Sequence, residues 1–264
     1  MTPKVTIVTA VYNGEKYLEE SINSMLNQTY EDFEFIIVDD GSTDNSQRIL
    51  KQITDSRIRV FQQKNQGQTN ALITGINHAK GELIARLDQD DYSFPDRLKR
   101  QVEFMDTNPR VVLCGSRFHE LYQDKFFPQR VHFIQTHTDI RKYISCFNPF
   151  AHSTVVFRRE SYLKVFGYDK RFLIGMDYDL WIRLMEIGEV HNIKEVLTVV
   201  RVHGNSFSNK NSKFKTLEDI KIRYYAYSKF GGNPLLTGFF LLKSVLGLLL
   251  PRWLKTLFSK STRK

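Results

Sequence analysis

The sequence has little cysteine, no internal repeat and no long uninterrupted apolar stretch. Its 264 residues include two cysteines, Cys114 and Cys146, which are too few and too widely spaced for a disulfide framework or a zinc site. The apolar run 235–250 contains Lys243 and falls short of the roughly 20 residues that a membrane-spanning helix needs. With 264 residues, 41% of them hydrophobic, the chain is long enough for one α/β domain, or for one domain plus a small appendage. No basic and apolar leader precedes the first strand-like run, so we expect the body of the chain to stay in the cytoplasm.

Basic charge is concentrated at the C-terminal end. The net charge is +9, but residues 209–264 alone carry 12 Lys or Arg against Glu218 and Asp219, so residues 1–208 are close to neutral. A uniformly basic chain would suggest nucleic acid, whereas a near-neutral body with a basic, apolar tail favours an anionic membrane surface. We therefore predict a helical tail over residues 209–264 that lies on a membrane, and no nucleic-acid partner. The alternative is that run 235–250 packs on the domain as core.

Strand-like and helix-like segments alternate through the first hundred residues. Apolar runs typical of buried strands occupy residues 5–10, 33–38, 58–62 and 83–87, and helical periodicity fills the segments between them. The alternation predicts an α/β fold with a mostly parallel, twisted sheet flanked by helices. Further strands are expected at 111–116, 154–157 and 196–202, with a helix at 177–187. The aromatic-rich stretch 118–150 shows no clear period, and we expect it to be irregular.

Aromatic and acidic residues follow the first two predicted strands. In open α/β sheets, ligands bind beyond the carboxyl ends of the strands. Tyr12 follows the first strand, where its ring could stack on a base or a sugar. Asp39 and Asp40 follow the second strand and could accept hydrogen bonds from a base or from ribose. Capping of the next helix explains neighbours such as Ser42, but it does not explain two adjacent acids after a buried strand.

Three acids within four residues, Asp88, Asp90 and Asp91, follow the fourth predicted strand. Such carboxylates repel one another unless a cation neutralises them. A hard divalent cation such as Mg²⁺ or Mn²⁺, bound together with diphosphate oxygens, meets this need. The alternative is a solvated acidic loop that helps to cap the helix beginning near Pro95.

These residues stand in a sequence that resembles glycosyltransferase family 2. The motifs that carry the resemblance are residues 5–46, the DQDD run followed by SFPDRL at 93–98, and segments 148–159, 167–172, 176–184 and 201–208. Their order is more specific than any one of them, and together they cover about residues 3–208. The resemblance implies a GT-A (Rossmann-like) catalytic domain over 1–208. Within it, residues 1–115 would bind the nucleotide sugar and residues 116–208 the acceptor.

The resemblance also implies roles for residues of the donor side. The base would be held by Tyr12 and Asp40, with Ala10 and Asp39 beside them. Asp88 and Asp90 would contact the ribose and a Mn²⁺ or Mg²⁺ ion. The direct metal ligand would be Asp90 or Asp91, with a late contact from His203. Arg201 would help to neutralise the leaving diphosphate.

On the acceptor side, the resemblance makes Asp177 the catalytic base. The family usually has Glu before this Asp, whereas this chain has Met176. Asp179 lies two residues further along the predicted helix and therefore points to a different face from Asp177. There we expect it to interact favourably with the dipole at the N-terminus of the helix. His152 and Trp181 are candidates for the acceptor pocket. The Gln-x-x-Arg-Trp motif of processive members is absent after Asp177, which favours addition of a single sugar.

These expectations combine into an inverting glycosyltransferase of cell-envelope polysaccharide synthesis. It would move a sugar from a nucleotide-diphosphate donor, by resemblance a UDP-sugar, to a glycan or lipid-linked acceptor at the inner face of the cell membrane. Two alternatives remain. A sugar nucleotidyltransferase is disfavoured because no glycine-rich, basic phosphate loop follows the first strand. A non-catalytic binding module of the same fold is favoured only by Met176. A homodimer is left open.

Overall fold

Strands and helices alternate in the structure much as they do in the sequence. The computed structural model describes residues 2–129, 132–203 and 212–249. The strands are β1 (Val5–Val11), β2 (Phe33–Asp39), β3 (Ile58–Gln62), β4 (Leu83–Arg86), β5 (Tyr92–Ser93), β6 (Val111–Tyr122), β7 (Lys125–Pro128), β8 (Val156–Arg158) and β9 (Glu189–Arg201). The helices are α1 (Leu18–Leu26), α2 (Ser46–Lys51), α3 (Gln68–Asn77), α4 (Arg97–Thr107), α5 (His137–Tyr143), α6 (Arg159–Lys164), α7 (Met176–Met185), α8 (Ser212–Phe230) and α9 (Pro234–Leu249).

The strands of the described residues join in one sheet with the order β3-β2-β1-β4-β8-β6-β9-β5, and β7 pairs with β6. Neighbours among β1, β2, β3 and β4 are parallel, as are β6 and β9. β8 runs antiparallel between β4 and β6. The predicted α/β fold with a mostly parallel sheet flanked by helices is confirmed.

Two apolar clusters cover the two faces of the sheet. Successive residues of β1 illustrate this, because Ile7 packs in one cluster and Val8 in the other. α1 and α4 lie over the face of Ile7, and α3 and α7 lie over the face of Val8. A strand buried on both faces needs an apolar run without alternation, and β1 and β2 have such a run. The sheet therefore holds the carboxyl ends of β1, β2 and β4 as a fixed edge.

The prediction that residues 118–150 are irregular is wrong. β6 continues to Tyr122, turns at Gln123 and Asp124 with φ of 49° and 58°, and returns as β7, and α5 follows. β9 begins at Glu189 rather than near residue 196. Pairing of β6 with β9 shifts register around Ser116 to Phe118, and such bulges break the alternation that marks a strand in sequence. The predicted division at 115/116 lies inside β6, and the one at 208/209 lies outside the described residues.

The two C-terminal helices pack against the domain. Thr237 of α9 shares a hydrogen bond of 2.9 Å with Ser145, and Ile222 and Ala226 of α8 are buried in the core cluster that contains Trp181. No helix among the described residues combines the length and the apolar character needed to cross a membrane. α9 nevertheless exposes several large apolar side chains, namely Leu235, Phe239, Leu242 and Val245. The predicted amphipathic continuation at Trp253, Leu254, Leu257 and Phe258 lies outside the described residues.

Candidate active site

Side-chain hydrogen bonds join the loops that follow β1 and β2. The backbone N–H of Asn13 donates to the Ser42 hydroxyl over 3.0 Å, and that of Gly14 donates to the Ser46 hydroxyl over 2.8 Å. The Asn13 side-chain oxygen accepts from the backbone N–H of Thr43 over 2.8 Å. The polar residues after β2 therefore fix the turn that carries Tyr12.

Asp39 and Asp40 are both buried, but their carboxylates are used differently. Asp40 accepts from the Gln63 side chain (2.7 Å) and from the backbone N–H groups of Gln66 (2.9 Å) and Gly67 (2.8 Å), so it holds the loop before α3. Asp39 accepts from the backbone N–H of Ser42 through Oδ1, whereas its buried Oδ2 has no hydrogen-bond partner among the described residues. A buried carboxylate oxygen without a donor is costly, and a donor from a ligand would satisfy it.

Tyr12 projects from the same edge. The Tyr12 residue is 46% exposed to solvent. Ala10, near the end of β1, is half-buried. The Gln89 amide accepts from the Tyr12 N–H over 2.9 Å and donates to the Tyr12 carbonyl over 3.2 Å. This reciprocal pair ties the Tyr12 turn to the acidic loop after β4. A Cβ at Gly14 would lie 2.4 Å from the Gln89 side-chain oxygen, so the contact depends on glycine there.

Asp88 is held from beneath by a buried cation. The fully buried Arg86 donates to Asp88 over 2.7 Å, and Gln68 of α3 donates to the same oxygen over 3.1 Å. Burial raises the pKa of Asp88, but His152, Arg86 and the hydrogen bonds of Ser153 and Gln68 outweigh it and leave the pKa below its ordinary value. Burial and the Arg86 charge lower the pKa of His152 to about 3, so Arg86 is the cation at neutral pH.

Asp90 and Asp91 differ in their freedom to bind a ligand. Asp91 is buried, with one oxygen accepting from the Ser153 hydroxyl and the other from the Arg201 N–H at 2.7 Å. Burial and the charges of Asp90 and Asp88 raise the pKa of Asp91 well above its ordinary value. Asp90 is partly exposed and meets the His203 Nε2 at 2.7 Å. Burial and the charge of Asp88 raise its pKa, while the His203 contact opposes the shift.

The acidic loop offers a donor set that fits a divalent cation sharing a diphosphate. Within residues 2–129, 132–203 and 212–249, no group of three or more His, Cys, Asp or Glu side chains is placed to hold a metal ion. Asp90 and His203 could supply one oxygen and one nitrogen ligand, and these two atoms lie 2.7 Å apart. Mg²⁺ commonly takes one or two protein carboxylates and fills its remaining positions with phosphate oxygens and water. Besides burial, the charge of Asp88 raises the pKa of Asp90, and the charges of Asp90 and Asp88 raise that of Asp91; such a cation would relieve this repulsion.

Arg201 lies at the outer side of this loop. Its guanidinium donates to the Asp90 carbonyl over 2.9 Å and to Glu20 of α1 over 2.6 Å. It also stacks over the Tyr17 ring, 4.1 Å from the ring centroid. Arg201 thus lies beside Asp90, and Glu20 of α1 fixes its orientation.

Asp177 and Asp179 stand on the first turn of α7 in different surroundings. Asp179 is buried and pairs with Arg183 at 2.5 Å. Asp177 is half-buried, and its carboxylate accepts from the Asn148 side chain (3.0 Å) and from the backbone N–H of Tyr178 (2.7 Å). Met176 lies in the core, where a charged Glu would be buried. Of the two acids, Asp177 is the less buried.

Trp181, a predicted candidate for the acceptor pocket, lies in the core. Trp181 is fully buried and packs against the rings of Phe150, Phe157 and His152. An aromatic residue at a helical core position buries its ring in this way, so it supports the site from behind. His152 is also largely enclosed, because its Nε2 meets the Arg86 guanidinium at 3.1 Å and the Tyr168 hydroxyl at 2.8 Å. It orders the groups under Asp88 rather than opening toward solvent.

Sequence analysis missed three residues that shape this site. Ser153 bridges Asp88 and Asp91, Gln89 holds the Tyr12 turn, and Gln68 reaches Asp88 from α3. Gln89 stands inside the acidic run, so its position was a usable signal. Ser153 lies in the family-like segment 148–159 but was given no role there, and nothing local in the sequence marks Gln68.

Comparison with known proteins places this site in a family. Residues 6–166 match the family model "Glycosyl transferase family 2". The O-antigen biosynthesis glycosyltransferase WbnJ of Escherichia coli is 30% identical over 243 residues, covering 89% of this chain and 92% of the relative.

Two solved structures share the fold at identities that support no conclusion beyond it. S. aureus TarS in complex with UDP-GlcNAc has a TM-score of 0.71 at 17% identity, over 92% of this chain and 71% of that one. The mannosyltransferase PcManGT from Pyrobaculum calidifontis, in complex with GDP-Man and Mn²⁺, has a TM-score of 0.67 at 17% identity, over 99% of this chain and 80% of that one. The ordered motifs, the GT-A fold and the match to the family model together establish that this chain belongs to glycosyl transferase family 2.

Proposed function

We propose that this chain transfers a single sugar from a UDP-sugar to a hydroxyl of a glycan or lipid-linked acceptor, with inversion at the anomeric carbon. The observation that carries the proposal is the convergence of Asp39, Asp88 and Asp90 at one edge of the sheet, with Asp177 on the neighbouring helix α7. The relative WbnJ acts in O-antigen biosynthesis, which supports a role in cell-envelope polysaccharide synthesis. TarS was solved with UDP-GlcNAc, which supports a UDP-sugar donor.

The nucleotide would bind at the ends of β1 and β2. The exposed ring of Tyr12 offers a stacking surface for the base, and Ala10 leaves space beside it. The unpartnered Oδ2 of Asp39 would accept a hydrogen bond from a base N–H. Asp40 would stand behind, since its carboxylate already accepts three hydrogen bonds from residues 63–67. The base contact first expected of Asp40 would then fall to Asp39.

The cofactor we propose is Mn²⁺ or Mg²⁺, held by Asp90 and His203. When bound, such an ion offsets the charge that develops on the leaving diphosphate. Asp88 would contact the ribose, and Arg201, fixed beside the Asp90 backbone, would add positive charge near the diphosphate. Asp91 is the other predicted ligand, and we place it behind Asp90 because both of its oxygens are engaged. PcManGT was solved with Mn²⁺, which supports this cofactor.

Asp177 would act as the general base. Its carboxylate would take the proton of the acceptor hydroxyl as the oxygen bonds to the anomeric carbon. The bond from that carbon to the diphosphate breaks on the opposite face, so the configuration inverts and the nucleoside diphosphate leaves. The Asn148 side chain and the Tyr178 N–H would hold Asp177 in place during the transfer.

The tail would bring the site to its acceptor. α9 exposes Leu235, Phe239 and Leu242 and carries Lys243, a combination that favours the surface of an anionic membrane. We propose that the protein works as a peripheral enzyme at the inner face of the cell membrane. A lipid-linked acceptor would then be presented where the enzyme binds.

The deciding experiment is a titration of UDP, GDP, dTDP and CDP into the protein with and without Mn²⁺, followed by donor turnover. We expect UDP to bind most tightly, and its binding to need both Mn²⁺ and Asp90, so that Asp90→Ala abolishes it. Glu103→Gln, on the exposed face of α4, is the matched control and should bind like the wild type.

Release of UDP from a UDP-sugar would support the transferase. Pyrophosphate formed from a nucleoside triphosphate would favour a sugar nucleotidyltransferase, and UDP binding without any turnover would favour a non-catalytic module. No metal-dependent binding of any of the four nucleotides would overturn the proposed donor site.

A further inference from the structure

A carboxylate from the C-terminal tail grips the backbone that leads into α7. Glu218 of α8 accepts hydrogen bonds from three successive N–H groups, those of Leu173 (2.8 Å), Ile174 (2.9 Å) and Gly175 (2.8 Å). Backbone N–H groups at the N-terminal end of a helix have no acceptor within the helix. The helix dipole stabilises an anion placed at that end. One side chain, 43 residues further along the chain than Gly175, therefore defines where α7 begins.

The gripped segment also sets the position of Asp177. Gly175 is the residue that precedes α7, and Asp177 is the second residue of the helix. The fit between segment and tail is close, because a Cβ at Gly175 would lie 2.5 Å from the Ile222 side chain of α8. Ile222 is itself buried in the core cluster that contains Met176. Any shift of residues 173–175 would move the Asp177 carboxylate relative to the donor edge of the sheet.

We propose that Glu218 is a positioning residue for the general base, so that the first helix of the tail is needed for turnover. This inference rests on the proposed function of Asp177. Glu218 would neither touch the donor nor take the proton. It would hold residues 173–175 so that Asp177 stands in line with the acceptor hydroxyl. A displacement of about 1 Å at a catalytic group commonly lowers the rate about 100-fold, which makes such a clamp consequential.

α8 supplies its own matched control. Near its other end, Tyr225 donates to Glu186 over 2.6 Å and Lys229 pairs with the same carboxylate at 3.1 Å. Glu186 follows the last residue of α7, so it anchors α8 to α7 far from Asp177. Glu186→Gln weakens the docking of α8 without touching residues 173–175. This variant therefore distinguishes the effect of the Glu218 contacts with residues 173–175 from the effect of attaching α8 to the domain.

The experiment compares wild type, Glu218→Ala, Glu218→Gln and Glu186→Gln in the full chain. UDP affinity, the kcat of UDP release from UDP-GlcNAc with Mn²⁺, and amide hydrogen exchange over residues 173–178 would be measured. We expect Glu218→Ala to bind UDP like the wild type, to lose about 10- to 100-fold in kcat, and to exchange faster over 173–178. Glu218→Gln keeps one acceptor oxygen and should recover part of the kcat. Glu186→Gln should behave like the wild type in all three measurements.

Two results would overturn the inference alone. One is a Glu218→Ala variant with wild-type kcat despite faster exchange over 173–178. The other is a Glu186→Gln variant that loses as much kcat as Glu218→Ala, which would make attachment of α8 the cause. If the wild type releases UDP from no member of a UDP-sugar panel, the proposed function itself fails. That outcome is distinguishable because the wild type, and not only the variants, is then inactive.

Discussion

The proposed donor edge and the proposed acceptor side of this molecule are held by different means. At the donor edge, the loops after β1, β2 and β4 are tied to one another by short side-chain bonds, such as those of Ser42 and Gln89. On the acceptor side, Asp177 depends on Asn148 and on a backbone segment gripped by Glu218 of α8. The donor edge is thus braced by bonds among the loops that follow β1, β2 and β4, whereas Asp177 is held by the segment before β8 and by the tail helix α8. Substitutions at the two places should therefore have different effects on turnover, UDP affinity and folding stability.

The largest effect is expected from Asp177→Asn. The amide can still accept from the Tyr178 N–H but cannot take a proton, so UDP release should fall by about 10²- to 10⁴-fold. UDP affinity should stay at the wild-type value, because the donor edge is untouched. Turnover assays and calorimetry would measure the two quantities.

Asp179→Asn is the control for that variant. It breaks the buried pair with Arg183, so it should lower stability and leave more turnover than Asp177→Asn does. If Asp179→Asn is inactive while Asp177→Asn is active, the base has been placed on the wrong residue.

The next largest effect is a loss of stability beneath the donor edge in Arg86→Met. Arg86 is fully buried, and its removal leaves the Asp88 carboxylate without its cation, which we expect to cost about 3 kcal/mol. Because the pKa of Asp88 is lowered in the folded state, this stabilisation is present above the ordinary carboxyl pKa. It is lost as the pH falls through the lowered pKa, so wild type and variant should converge in acid.

Urea unfolding at neutral and acidic pH would measure this difference. Arg171→Met is the control, since Arg171 is exposed and its pair with Asp169 should contribute little. An equal loss of stability in both variants, or a difference that widens in acid, would contradict the role given to Arg86.

The same contrast explains how much could be predicted from the sequence. The strand ends were predictable because a buried apolar run followed by Asp39 or by Asp88 is a local signal, and Tyr12 and Asp90 stand where the pattern placed them. Bulges hid the full extent of β6 and β9. Glu218 was not predictable as a clamp, because its partners lie 43 to 45 residues away and only the packing of α8 brings them together.

A smaller effect separates the two acids after β2. Asp39→Asn keeps an acceptor for the Ser42 N–H but replaces the unpartnered Oδ2 with a donor, so UDP affinity should fall about 10- to 100-fold. Asp40→Asn places an amide N–H₂ against the donors of residues 63–67 and should cost about 1–3 kcal/mol of folding stability. Calorimetry and urea unfolding of both variants would test the division. Wild-type UDP affinity in Asp39→Asn would contradict the proposed base contact.

The smallest effect concerns the outer face of the tail, where the acceptor side would meet its membrane. Phe239 on α9 is 59% exposed, and Phe126 on β7 is similarly exposed at 57%, so the two residues form a matched pair. Phe239→Glu should lower binding to vesicles rich in anionic lipid about tenfold, because one inserted aromatic ring contributes on the order of 1.5 kcal/mol and the new charge is repelled. Phe126→Glu should leave vesicle binding unchanged, and neither substitution should alter UDP affinity. Co-sedimentation would measure the binding. If only Phe126→Glu weakens it, the membrane-facing surface lies on the β6–β7 hairpin and the tail serves the site through Glu218 alone.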